Sequence, residues 1–106
     1  MTKRRVRIKM KGESTTLNTE GAIYRSPYHA GAEPVVAQVR VRRTEADEFD
    51  VAPGRYEYRF DVQDDRGTFE LEATYGGAPP PFASDKYDTA VAMNDLQLVF
   101  TVKGPS

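Results

Sequence analysis

The amino-acid sequence predicts an all-β chain: a single domain over residues 1–106, folded as an antiparallel sandwich of about seven short strands. Apolar and polar residues alternate with a period of two along five separate stretches, whereas no stretch of helical length carries an apolar stripe. Turn-forming Pro, Gly and Asp fall between those stretches. A period of two sends successive side chains to opposite faces, which suits a sheet buried on one side only.

The elements follow in order. In "RRVRIKMK" (4–11), Val6, Ile8 and Met10 share one face, and Arg5, Arg7, Lys9 and Lys11 the other. "GAIYRS" (21–26) reads as a shorter, less regular strand. In "VVAQVRVRR" (35–43), Val35, Ala37, Val39 and Val41 face one way, with Arg40 and Arg42 opposite. "RYEYRFDV" (55–62) turns Tyr56, Tyr58, Phe60 and Val62 inward, and "TFELEATY" (68–75) does so with Phe69, Leu71, Ala73 and Tyr75. "YDTAVAM" (87–93) reads as a strand or a helical turn, and "LQLVFTV" (96–102) closes the series with Leu96, Leu98, Phe100 and Val102 inward.

"APG" (52–54) marks a turn into the strand at 55. "QDDRGT" (63–68) has the length of a four-residue hairpin loop, with Gly67 supplying a left-handed conformation. A hairpin there pairs Val62 with Phe69 and Arg59 with Glu72, so that inward and outward faces match. "GGAPPPF" (76–82) reads as a long loop stiffened by Pro79, Pro80 and Pro81.

Charge removes several functions. The formal net charge is −1, so the whole molecule has no bulk attraction to polyanions. Residues 1–43 carry ten basic and three acidic side chains, whereas 44–106 carry five and thirteen, so the halves nearly cancel. The basic positions Arg5, Arg7, Lys9, Arg40 and Arg42 read as a solvated outer face, with Arg5, Arg7 and Lys9 beside outward Glu70 and Glu72. Basic side chains on an edge strand would alternatively guard it against sheet extension. Nucleic acid is not expected, because nine of the eleven aromatics lie in the acidic half and most point into the core. The absence of cysteine excludes disulfides, thiol nucleophiles and thiolate metal centres. No apolar run has the length of a signal peptide or a membrane span, so a soluble cytoplasmic protein is the expectation.

Catalytic patterns are missing. His29 is the only histidine and reads as a loop residue, and no G-x-S-x-G motif accompanies it. Acids at 45–50, at Asp64 and Asp65, and at Asp85 and Asp88 lack a calcium-loop spacing and read as solvated turn residues. No phosphate loop, metal set or cofactor motif is present, and neither an enzyme nor a cofactor is expected. Tyr24, Tyr28 and Tyr87 lie outside the clear strands and, with His29, are the candidate contact residues.

"VAPGRYEYRFDV" (51–62) resembles the Pro-Gly-x-Tyr-x-Tyr-x-Phe strand of immunoglobulin-like glycogen- and starch-binding modules. "NDLQLVFTV" (94–102) is loosely similar to their closing strand. The resemblance implies an immunoglobulin-like sandwich and, as an alternative function, carbohydrate binding through exposed tyrosines. Those modules typically stack glucose on tryptophan and this chain has none, so no binding residue is carried over. The leading expectation is a non-enzymatic interaction module. Its partner is another protein or a second copy, engaged through an exposed sheet edge or face.

Overall fold

The computed structural model describes residues 2–104. These form eight strands: β1 (Arg4–Gly12), β2 (Asn18–Arg25), β3 (Val36–Arg42), β4 (Asp47–Val51), β5 (Gly54–Gln63), β6 (Thr68–Tyr75), β7 (Ala78–Asp88) and β8 (Leu96–Val102). They build two antiparallel four-stranded sheets, ordered β4-β1-β6-β7 and β3-β2-β5-β8. The all-β sandwich expected from alternation is present, with one strand more than anticipated.

The core follows from that alternation. Val6, Ile8 and Met10 of β1 meet Phe69, Leu71 and Ala73 of β6 on one inner face. Tyr56, Tyr58, Phe60 and Val62 of β5 lie with Leu98, Phe100 and Val102 of β8 on the other. Aromatic rings bridge the sheets, as where Phe60 meets Phe69 at 6.4 Å and Phe49 meets Phe100 at 6.2 Å. Tyr58 is fully buried, and burial raises the pKa of its phenol. Its hydroxyl is satisfied by Thr19 at 2.8 Å and the Val39 carbonyl at 2.9 Å, which ties β5 to β2 and β3.

Several expectations are corrected. Residues 63–68 do not make a hairpin, because β5 and β6 lie in opposite sheets. Arg59 is paired with Ala22 and Gln97, and Glu72 with Lys9 and Ser84, so the Val62–Phe69 and Arg59–Glu72 pairs do not exist. Gly67 does take a positive φ there, at 146°, and Asp64 joins it at 71°. The supposed loop at 76–82 is instead a tight turn at Gly76 and Gly77 (φ 63° and 91°), followed by the first half of β7. The three prolines are tolerated because β7 is an edge and they fall in its irregularity, between Ala78 opposite Tyr75 and Ala83 opposite Ala73, where no register partner in β6 is lost.

β7 ends at Asp88, so 87–93 is mostly turn. β4 was hidden among the acids of 45–50: Phe49 and Val51 point inward while Glu48 and Asp50 face Arg7 and Arg5. In β3 only Val39 and Val41 are buried, and Val35 precedes the strand, exposed.

Candidate functional site

A sandwich has four free edges, and here their chemistry differs. On the β3 side, the Arg40 N–H donates to the Asp47 carboxylate at 2.9 Å. Arg42 and Glu45 exchange two backbone hydrogen bonds at 2.9 and 3.2 Å. β4 is only five residues long and carries Asp47, Glu48 and Asp50. β7 is interrupted by Pro79–Pro81 and charged at Asp85, Lys86 and Asp88. Short length, charge and proline all oppose the addition of a strand.

β8 carries none of these devices. Its sequence, LQLVFTV, has no charge and no proline, and its ladder partner is β5 alone. The Gln97 carbonyl accepts from the Tyr87 hydroxyl at 2.8 Å, on the side away from β5. The Lys103 N–H donates to the Tyr75 hydroxyl at 3.0 Å, and its carbonyl accepts from Arg4 at 3.0 Å. Backbone polar groups in an antiparallel strand alternate sides residue by residue. Val99 and Thr101 therefore present their N–H and C=O groups to the same free side, and among the described residues no side chain or second strand takes them. A groove of about 710 Å³ opens there, lined by Tyr75, Phe82, Val99, Phe100, Thr101 and Lys103. Its wall is aromatic: Tyr75 stacks on Phe82 at 4.1 Å, and Phe82 meets Phe100 at 6.1 Å.

A second apolar groove, of about 620 Å³, runs past Phe69, Tyr87, Leu96 and the exposed Val91. Its rim is a closed turn in which the Val91 and Ala92 N–H groups bond to the Asp88 carbonyl, so it offers side-chain contact only.

The expected contact residues separate. Tyr24 and Tyr28 come together edge to face at 4.8 Å on the outer side of the β3-β2-β5-β8 sheet, and the Arg59 guanidinium lies 4.1 Å from the Tyr28 ring centroid. Beneath them Glu57 is buried and accepts from the Ser26 hydroxyl, the Tyr28 N–H and Arg59. Burial alone would raise its pKa; those three donors outweigh it and hold the carboxyl below the usual range. His29 is exposed, its Nδ1 3.3 Å from the Ala30 carbonyl oxygen.

Tyr87 is no surface platform. It stacks on Phe69 and meets Phe60 edge-on, both at 5.2 Å, and burial with Asp85 nearby raises the pKa of its phenol.

The basic positions do not form one face. Arg5, Arg7 and Lys9 project from the outside of one sheet, Arg40 and Arg42 from the outside of the other. Arg5 binds Asp50 and Glu48, Arg7 binds Glu48, and Lys9 and Lys11 both reach Glu72. The Lys9–Glu72 neighbourhood was expected, whereas Arg5 and Arg7 find their acids on the unanticipated β4. Nor does β1 guard an edge, since it lies between β4 and β6. Arg40 pairs with Glu20 at 2.8 Å.

Among the described residues no group of three or more potential metal ligands converges, and no helix is long and apolar enough to cross a membrane. No family model, curated protein or solved structure matches the chain.

Proposed function

We propose that this protein is a non-enzymatic interaction module that accepts a strand, from another protein or from a second copy, along β8. The observation behind this reading is the unpaired backbone of Val99 and Thr101 beside an aromatic groove, where the other three edges carry charge, proline or occupied backbone groups. Strand addition draws its affinity from main-chain hydrogen bonds and its selectivity from side-chain pockets along the edge. Amide hydrogen exchange tests it directly. In the free, dilute chain the Val99 and Thr101 amides exchange quickly, whereas Leu98 and Phe100, bonded to β5, are protected. Binding of a partner, or a rise in concentration, slows exchange at Val99 and Thr101. Slow exchange at both in the free monomer would show the edge already satisfied and end the reading.

Carbohydrate binding is the second reading, favoured by the shallow depression of about 270 Å³ that Tyr24, Tyr28 and Arg59 share. Retention on insoluble polysaccharide that disappears in Tyr28→Ala would support it. An immunoglobulin-like kinship is proposed at the level of architecture only. The Pro53–Gly54 turn feeds an aromatic strand whose Tyr56 hydroxyl donates back to the Ala52 carbonyl at 2.6 Å, as in a tyrosine corner. The first two strands pair in an immunoglobulin constant domain, however, and here β1 and β2 lie in opposite sheets.

A further inference from the structure

We infer that the strand β8 accepts is β8 of a second copy, paired antiparallel about a two-fold axis at Phe100, with Val99 opposite the partner's Thr101. The inference rests on the edge reading above and specifies both occupant and register. Three observations lead to it.

The first is the set of open backbone groups. Each chain offers the N–H and C=O of Val99 and of Thr101, with the flanking Gln97 carbonyl and both groups of Lys103 occupied by Tyr87, Tyr75 and Arg4. An axis at Phe100 sets each Val99 against a Thr101. Such a pair exchanges two hydrogen bonds, so the two symmetry-related pairs use every open group at both residues. An axis at Val99 instead pairs Val99 with itself and sets Thr101 against the partly occupied Gln97.

The second observation is charge. The outward side chains Gln97, Val99 and Thr101 are all neutral, so an antiparallel copy brings no like charges together. The edges that bear Arg40 and Arg42, or Asp47, Glu48 and Asp50, would set like charges close together against their own copies.

The third is continuity of the core. In this register Leu98 lies opposite the partner's Val102, and Phe100 opposite the partner's Phe100. All are inward residues of their own sheets, so the apolar inner face continues across the axis. A C2 contact of this kind is self-complementary and closes, giving a dimer with one eight-stranded sheet rather than a fibre.

Sedimentation equilibrium on the whole chain, from about 1 μM to about 1 mM, is the test. The wild type reaches twice the monomer mass within that range. The double substitution Val99→Lys with Thr101→Lys sets like charges opposite one another twice and weakens association by about tenfold or more. Val99→Lys with Thr101→Glu sets opposite charges together and restores association to near the wild-type constant. Both positions are on the outer face, and far-ultraviolet circular dichroism confirms that each variant stays folded. Thr101→Pro provides an independent check by removing the outward N–H without touching the β5 ladder, and it also reduces association.

A dimer indifferent to all three variants places the interface elsewhere and overturns both the edge and the register. Loss of association in both double variants overturns the register. A wild type that stays monomeric throughout overturns the second copy as occupant. If its Val99 and Thr101 amides nevertheless become protected by a foreign strand, the interaction reading survives this inference.

Discussion

Asp65 shows how a single exposed side chain acquires a function in the fold. Its carboxylate accepts from the hydroxyls of Ser14 and Thr16 and from the Arg66 N–H, joining the β1–β2 connection to the β5–β6 connection. These donors favour the charged form and lower its pKa from 3.8 to about 2. A group whose folded value lies below its unfolded one stabilises the fold fully above the unfolded value. That contribution declines as pH falls from near 3.8 and is gone below about 2. Carboxyl carbon shifts should therefore follow Asp65 to about pH 2. In Ser14→Ala with Thr16→Ala the same titration should move back up toward 3.8. A wild-type midpoint near 3.8 would show that the hydroxyls do not hold the charge.

Strands were legible where alternation was strict and their neighbours were not. β1, β5, β6 and β8 stand close to where the pattern places them, because Val6, Tyr56, Phe69 and Leu96 each open a run of alternating apolar residues. β7 was masked by Pro79–Pro81, whose edge position no local pattern reveals. β4 was masked because Glu48 and Asp50 resemble turn acids until Arg7 and Arg5 are seen beside them. A period of two reports which face a side chain takes and says nothing about which strand lies alongside, so a four-residue loop at 64–67 fits a crossover as well as a hairpin. That β8 is a strand was legible in LQLVFTV, whereas its place at an edge was not. Which of its groups stay open depends on Tyr75 and Tyr87, 28 and 10 residues from the Lys103 and Gln97 groups they take. Within β2, Gly21 shows how tightly two strands can fit: a Cβ there would lie 1.9 Å from the Arg59 carbonyl oxygen, a backbone atom that cannot step aside. Gly21→Ala should cost about 3 kcal/mol or more in urea unfolding, and a loss under about 1 kcal/mol would mean the ladder shifts easily.

At the scale of the molecule, only two of the seven connections among the described residues join hydrogen-bonded neighbours, β2 to β3 and β6 to β7. Every other ladder joins segments far apart along the chain, and such contacts pay a loop-closure cost before they return any stabilisation. Refolding monitored by stopped-flow tyrosine fluorescence should accordingly take milliseconds to seconds; microsecond refolding would contradict this topology.

The placement of β1 has a further consequence. Both of its neighbours are made after it, and the second is not finished until Tyr75 has been added. During synthesis the basic strand must therefore wait in two stages: Arg5 and Arg7 gain their acids once β4 is made, whereas Lys9, Lys11 and the opposite backbone edge stay hydrated until β6 follows. Assembly of this sheet is a late event on the ribosome, and any pause before residue 68 leaves β1 without its β6 neighbour.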